Sequence, residues 1–179
     1  VRNEYNSLNI DDKAGVTNLS ILQSYENDVK KLEEANRPKP TSVETYGFNN
    51  QENRTISTTE EVEGLKLVAT SDKTMEIRNG SASFVYNDSE YSVSKILSLG
   101  GSAKFGTNRY VEVKVSGACK LTIVAKSSGS SDRTLDVRLN NTSVGTADAK
   151  ASLSITTIDI TNAGTYQIGS TGSGIYIYY

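Results

Sequence analysis

"CKLTIVAKSSGSSDRTLDVRL", residues 119–139, decides the fold class of this chain. Apolar side chains recur at every second position from Cys119 to Ala125 and again from Leu135 to Leu139, on either side of a serine- and glycine-rich turn. A period of two residues is typical of a half-buried strand, because successive side chains point to opposite faces. The stretch therefore predicts two antiparallel strands joined by a hairpin-like loop.

The same period extends over most of the chain from about residue 45. Clusters of Gly, Asn, Asp and Ser interrupt it at intervals of roughly 8–12 residues, as in an antiparallel β-sandwich or jelly roll. A slip in the alternation between Ile155 and Ile158 predicts a β-bulge there. The predicted strands are 64–70, 74–79, 82–88, 91–99, 109–115, 120–126, 134–139, 153–160, 165–170 and 174–179.

The first part of the chain has a helical period instead. Thr17 or Asn18 can cap the N-terminus of this helix, and prolines at positions 38 and 40 end it. Its apolar stripe consists of Leu22, Tyr25, Val29 and Leu32. We therefore predict a mainly β fold, a jelly-roll-like antiparallel β-sandwich with a short N-terminal helical segment. Its three parts are a helical spacer (1–37), a linker (38–44) and the β-sandwich (45–179).

Missing residue types narrow the chemistry. The chain has no His, which excludes Ser-His-Asp triads, His-ligated metals and imidazole acid–base catalysis. Cys119 is the single cysteine, and its position on the apolar side of a strand predicts a core thiol rather than a nucleophile. Trp is absent, so binding of a neutral sugar would depend on the ten tyrosines. No apolar run approaches the roughly 18 residues that cross a membrane, so we expect no membrane insertion.

Two motifs that could carry chemistry have simpler structural explanations. "GGSAKFGTN" (100–108) continues with Thr-Asn rather than Lys-Ser or Lys-Thr, and it joins two strands, so it is not a phosphate-binding loop. Asp132 and Asp136 could pair with Glu112 as in a glycosidase, but neighbouring arginines predict local ion pairs. A structural Ca²⁺ is compatible with such a sandwich, but no carboxylate spacing specifies its ligands, and the metal stays unassigned. We predict a protein without catalytic residues, not an enzyme, that requires no cofactor.

The charges are unevenly distributed although the net charge is only −2. Residues 91–150 carry nine basic and four acidic side chains, whereas residues 41–90 carry four basic and nine acidic ones. An excess of positive charge on one contiguous β segment can attract an anion, although the net charge argues against nucleic acid. The alternative is that strands simply place these charges outward.

Three cations of this segment lie in phase with core-facing residues. They are Lys95, Arg109 and Arg133, each at or near a predicted strand start. A buried unpaired cation is costly, so these side chains should emerge at an end of the sandwich or pair with acids. They are candidate ligand-binding residues, and the alternative for the two arginines is an ion-paired support at a strand end.

Four further candidates lie on the opposite phase of their strands. Lys120 and Lys126 share one face of their predicted strand, and Lys114 shares a face with Tyr110. If the two strands are neighbours, these four side chains form one cationic surface with an aromatic element. The alternative for the lysines is ordinary solvated surface.

Residues 5–26 resemble a helical repeat of large secreted or wall-attached proteins of Gram-positive bacteria. The pattern Y-x-x-L, followed by K-x-x-V-T-N-x-x-x-L-x-x-x-E, is matched by Tyr5, Leu8, Lys13, Val16, Thr17, Asn18, Leu22 and Glu26. The resemblance implies an extracellular parent protein, secreted or attached to the cell wall, in which this segment is a spacer between covalently linked modules.

Most of the remaining chain resembles the small β-sandwich modules attached to bacterial pectate lyases, those of the family 77 kind. The shared motifs are K-x-L-x-L-G-G (95–101), R-x-V-x-V-x-V-x-G (109–117), T-I-x-A-x-S-S (122–128), D-R-T-L (132–135), A-G-T-Y (163–166) and G-I-x-I-Y-Y (174–179). The resemblance implies a non-catalytic carbohydrate-binding module, whose pectin-binding relatives are thought to hold de-esterified homogalacturonan through lysines. It does not assign the binding lysines residue by residue.

Residues and resemblance together predict a module that binds acidic plant cell-wall polysaccharide, low-esterified pectin, through Lys and Arg. Ion pairs and hydrogen bonds to successive uronate carboxylates would supply the affinity. One alternative is a structural or protein-interaction spacer of a multimodular surface protein. Another is a module for neutral glycans that uses Tyr110, Tyr176 or Tyr178.

Overall fold

The computed structural model of the protein describes residues 2–8, 12–13, 18–36 and 43–179. The chain divides into two compact units, Val1–Lys39 and Pro40–Tyr179. Thr17, one of the two predicted caps, and residues 37–42, which include most of the predicted linker, lie outside the described residues. The spacer and linker roles therefore stay predictions.

The first unit contains helices α1 (Arg2–Ser7) and α2 (Leu19–Asn36). The carbonyl of Asn18 accepts the backbone N–H groups of Ile21 and Leu22 at 3.1 Å each, so this helix begins where the sequence predicts a cap. Its predicted apolar stripe is exposed by 52–67 % at Tyr25, Val29 and Leu32. A single helix cannot bury its own stripe, which accounts for this exposure.

The second unit is an antiparallel β-sandwich, as predicted. Sheet I has the strand order β1-β4-β5-β12-β7-β10, and sheet II has the order β2-β3-β6-β11-β8-β9. The strands are β1 (Arg54–Ile56), β2 (Glu60–Val62), β3 (Leu65–Val68), β4 (Met75–Tyr86), β5 (Ser89–Ser98), β6 (Tyr110–Val115), β7 (Cys119–Ser127), β8 (Arg133–Leu139), β9 (Thr142–Ala149), β10 (Ser154–Ile160), β11 (Gly164–Ser170) and β12 (Ile175–Ile177).

The core lies between the two sheets and contains the alternating apolar residues of both. Leu97 of β5 is completely buried and pairs with Ile77 of β4 on one side and Ile177 of β12 on the other. Tyr166 of β11 is the largest fully buried side chain, and its hydroxyl donates to the carbonyl of Asn162 at 2.8 Å. The inward phase that the sequence predicts for these strands is thus the phase that packs.

The hairpin predicted over residues 119–139 is wrong, because β7 belongs to sheet I and β8 to sheet II, and the two strands are not paired. Several predicted strand boundaries also need correction. Segments 74–79 and 82–88 form the single strand β4, which is interrupted by a register shift between Asn79 and Ala82. The bulge predicted in β10 is wrong, because this strand pairs with β7 in unbroken register. Ile155 simply faces outward and is 40 % exposed. Strands β1, β2 and β9 were not predicted, since the first two have three residues each and β9 presents only small residues to the core.

The register shift in β4 bends the end of the β4–β5 hairpin over the outer face of sheet I. There Phe84 stacks on Tyr91, with ring centroids 5.2 Å apart, and both belong to a second apolar cluster with Val124 of β7. Thr122 of β7 donates a hydrogen bond to the hydroxyl of Tyr86 at 2.9 Å. The hairpin end therefore covers the middle of this face, and Tyr176 of β12 packs at the border of the same cluster.

Candidate functional site

The structure separates the four residues that were predicted to form one cationic surface. Strand β6, with Tyr110 and Lys114, belongs to sheet II, whereas β7, with Lys120 and Lys126, belongs to sheet I. The single surface is therefore wrong, because the core lies between the two pairs. Whether each lysine contacts a ligand stays a prediction.

Tyr110 cannot serve as an open platform for a sugar. Its side chain is only 4 % exposed and lies against Phe105, with ring centroids 5.8 Å apart. Burial raises the pKa of its hydroxyl. Aromatic residues that hold sugars present a face to solvent, so a ligand role for Tyr110 is not supported by its position.

The three cations of the core-facing phase are held by neutral oxygen atoms. Lys95 Nζ donates to the side-chain oxygens of Asn53 and Asn79 at 2.7 Å each. Arg109 Nε donates to the carbonyl of Thr74 at 3.2 Å. The alternative prediction, that Arg109 and Arg133 form ion pairs at strand ends, is wrong for the described residues, because neither arginine has a carboxylate partner there. These hydrogen bonds offset the cost of partly burying the two positive charges, although no carboxylate is present.

Arg133, at the start of β8, is likewise held by neutral oxygen atoms. Its Nη1 donates to Ser128 Oγ at 2.7 Å and also to the carbonyl of Gly174. Ser128 Oγ itself donates to the carbonyl of Gly174 at 2.8 Å. The guanidinium therefore ties the loop after β7 to the loop before β12, and Arg133 also lines the cleft described below.

Most other cations of the sandwich have acidic partners. The N–O distances are 3.2 Å for Lys120–Asp159, 3.0 Å for Lys66–Glu112, 2.6 Å for Arg138–Asp136 and 3.5 Å for Lys150–Asp148. The local ion pairing predicted for Asp136 is confirmed. Lys126 has no carboxylate of the described residues within 4.0 Å of its Nζ, and the same holds for Lys73, Lys104 and Lys114.

Lys126 belongs to a row of polar side chains on the outer face of sheet I. Glu76 pairs with Ser98, Ser98 with Tyr176, and Tyr176 with Lys126, on four adjacent strands. These four residues and Arg78, which follows two positions after Glu76 on β4, are called the Tyr176 row below. All five lie on the outer side of the sheet, because their strand neighbours Ile77, Leu97, Ile175 and Ile177 face the core. Ser98 is nevertheless buried, with 8 % exposure, between its neighbours.

The Tyr176 row places an aromatic ring between two cations. The guanidinium carbon of Arg78 lies 5.9 Å from the centroid of the Tyr176 ring, and Lys126 is the cross-strand neighbour on the other side. Arg78 is exposed and reaches Glu76 only at 3.9 Å, while Tyr176 and Lys126 are half-buried. Cross-strand neighbours have Cβ atoms about 5 Å apart, so one ligand can contact the ring and both cations.

A separate cleft of about 390 Å³ lies at the rim of sheet II. It is called the rim cleft and is lined by Asp132, Arg133, Thr134, Asp148, Lys150, Thr171, Gly172 and Ser173. Thr134 pairs with Asp148 across β8 and β9, and the hydroxyls of Thr134 and Thr171 lie 3.0 Å apart. Asp132 Oδ1 accepts the N–H of Ala151 at 3.0 Å, which fixes the loop on the open side.

Reactive groups and ion sites are few in the part of the chain that is described. No group of three or more Cys, Asp or Glu side chains there is arranged to hold a metal ion. Burial raises the pKa of the Cys119 thiol, which lowers its thiolate fraction and its reactivity. None of the described helices is long and apolar enough to span a membrane.

Comparisons with known proteins do not identify a family for this chain. No protein-family model and no curated protein matches the chain. Among solved structures, one similar chain comes from work on glycan recognition in the Ruminococcus flavefaciens cellulosome. It is 17 % identical, with 58 % of this chain and 80 % of that chain covered, at a TM-score of 0.28. That score is too low to support an argument about this protein.

Sequence reasoning found one cation of each site, Lys126 and Arg133, but not the sites themselves. The outward phase of Tyr176 could be predicted from the two core-facing isoleucines beside it, Ile175 and Ile177. Its neighbours could not, because β12 lies between β5 and β7 only through pairings far apart in the sequence.

Proposed function

We propose that the β-sandwich is a non-catalytic carbohydrate-binding module for acidic plant polysaccharide, with low-esterified homogalacturonan as the preferred ligand. The observation that carries this proposal is an ammonium group without an acidic neighbour among the described residues, beside a half-exposed aromatic ring. That pair is Lys126 and Tyr176. A uronate supplies a matching carboxylate and a pyranose ring in a single unit.

The charge of the Tyr176 row supports an anionic ligand. Arg78 and Lys126 contribute two positive charges and Glu76 one negative charge, which leaves a net charge of +1 on the row. Arg and Lys donate charge-assisted hydrogen bonds to carboxylates, and Tyr176 can stack on a sugar ring. Exposed ion pairs are individually weak, so binding should require several uronates and should weaken with salt.

The alternatives differ in what they require. A neutral-glycan module would have to rely on Tyr176, since Tyr110 and Tyr178 are both less than 9 % exposed. A spacer without a glycan site would leave Lys126 as ordinary surface charge. Secretion or cell-wall attachment, covalently linked neighbouring modules, independence of cofactors and lack of catalysis belong to the same proposal. Measurable cleavage of pectin, xylan or glucan by the purified chain would refute its non-catalytic part.

The first test is affinity electrophoresis in native gels that contain low- or high-esterified pectin, xylan, β-glucan or starch. We expect retardation by low-esterified pectin only, and its loss at high salt. Retardation by a neutral polysaccharide that Tyr176→Ala abolishes would favour the neutral-glycan alternative. Unchanged mobility in every gel would favour the spacer.

The Lys126→Met substitution should weaken binding to polygalacturonate about three- to tenfold. Met keeps the aliphatic stem but removes the ammonium, which corresponds to about 1 kcal/mol for a partly exposed charged contact. Isothermal titration at about 0.1 M ionic strength, where the Debye length is about 10 Å, measures the change, and the slope of affinity against salt should fall in the same variant.

Lys73→Met is the matched control, because it removes one positive charge from an exposed turn outside the Tyr176 row. It should leave the affinity within about twofold of that of the unaltered protein, since distant exposed charges are screened. Equal losses in the two variants would mean that only the overall charge matters, and the proposed site would be wrong.

A further inference from the structure

We propose that the rim cleft is a second saccharide site, specific for an uncharged sugar, so that the module can hold two different glycans at once. The cleft is on the other sheet from the Tyr176 row. The assignment of the cleft stands on its own lining. Simultaneous binding of two glycans also depends on the proposed function.

The charge of the lining separates this cleft from the Tyr176 row. Asp132 and Asp148 contribute two negative charges, and Arg133 and Lys150 contribute two positive charges, so the lining is neutral overall. A uronate carboxylate entering here would meet two carboxylates as well as two cations. A neutral ligand gains hydrogen bonds from both kinds of group without that repulsion.

The hydrogen-bonding chemistry of the lining fits a polyhydroxylated ligand. Asp148 and Lys150 place an acceptor and a donor 3.5 Å apart, which matches neighbouring hydroxyls of a sugar ring, each able to donate and accept. Thr134, Thr171 and Ser173 add hydroxyls of their own. No wholly aliphatic and no aromatic residue is among the eight lining residues.

The cleft is also fixed before any ligand arrives. The N–H of Thr171 donates to the carbonyl of Thr134 at 3.2 Å, and the Arg133 guanidinium holds the carbonyl of Gly174 and the hydroxyl of Ser128. Ser127 N–H donates to the carbonyl of Lys150 at 2.8 Å. Prearranged polar groups lower the ordering cost of binding. About 390 Å³ lies within the range of small-ligand pockets, which suits one or two sugar units.

The test is a titration of the ¹⁵N-labelled full chain with xylohexaose, cellohexaose and a galactan hexasaccharide, followed by amide NMR. We expect at least one of them to shift the amides of Thr171, Gly172 and Ser173 but not those of Tyr176 and Lys126. Saturation with polygalacturonate should leave that affinity unchanged. Competition by polygalacturonate, or the absence of shifts at the cleft with all three, would overturn the proposal.

Asp148→Asn should weaken the affinity for the shifting hexasaccharide about tenfold, because Asn keeps the shape but loses the charged acceptor. Its binding of polygalacturonate should be unchanged. Asp88→Asn is the matched control, since Asp88 is exposed at the hairpin tip with φ 58°, a conformation that Asn adopts readily. Equal loss in the two variants would overturn the cleft assignment. If the unaltered protein binds a neutral hexasaccharide at the cleft but does not bind polygalacturonate, the proposed function is refuted and the assignment of the cleft is retained.

Discussion

The Leu97→Ala substitution should lower the free energy of unfolding by about 3 kcal/mol, within the roughly 2–5 kcal/mol typical of fully buried leucines. Leu97 is 0 % exposed and occupies the middle of the inward row Ile77–Leu97–Ile177. Neither neighbour can fill the space, because both are held by the strand ladders of sheet I. Urea denaturation should show a lower midpoint with an unchanged slope.

Ile155→Ala is the matched control for that loss. Ile155 lies on β10 of the same sheet, faces outward and is 40 % exposed, so its truncation should cost less than about 1 kcal/mol. If both variants lose the same free energy of unfolding, the assignment of Leu97 to the core-facing side of β5 is wrong.

The Arg138→Ala substitution should cost about 3 kcal/mol, far more than loss of an exposed ion pair. The side chain of Asp136 is only 7 % exposed, and its carboxylate accepts Arg138 Nε and Ser143 Oγ at 2.6 Å each. Without Arg138, one hydroxyl remains to satisfy a nearly buried charge. The substitution also removes the guanidinium that lies 4.2 Å from the Phe105 ring centroid.

Two further variants separate the charge effect from the loss of packing. The double variant Asp136→Asn, Arg138→Met should lose only about 1 kcal/mol, because no uncompensated charge is left in the sheet. Lys150→Ala removes an ion pair with Asp148 in which both side chains are more than half exposed. It should change the free energy of unfolding by less than about 1 kcal/mol. A double variant as unstable as Arg138→Ala would show that packing, not charge, dominates.

How much of the fold follows from sequence is clearest in β7 and β9. In β7 the two-residue period identifies Ile123 and Ala125 as core residues, and both are buried. In β9 the inward residues include Gly145, where an added Cβ would lie 2.9 Å from Ile158. The core requires small residues there, so β9 lacks the apolar alternation by which a strand is recognised.

The candidate sites could be predicted from the sequence less completely than the fold could. Period and composition predicted that Lys120 and Lys126 share a face, and both do face outward from sheet I. They could not predict that Asp159 neutralises Lys120, because this pair joins residues 39 positions apart. Nor could they predict that the hairpin end covers the surface between the two lysines.

The fold class, and the core-facing side of the strands with a clear apolar alternation, follow from the order of neighbouring residues in the sequence. Which strands are neighbours is known only from the three-dimensional structure. It placed β12 between β5 and β7, and so Tyr176 between Arg78 and Lys126, and it placed Lys114 on the other sheet. Strand order depends on contacts between distant segments, for which local periodicity carries no signal.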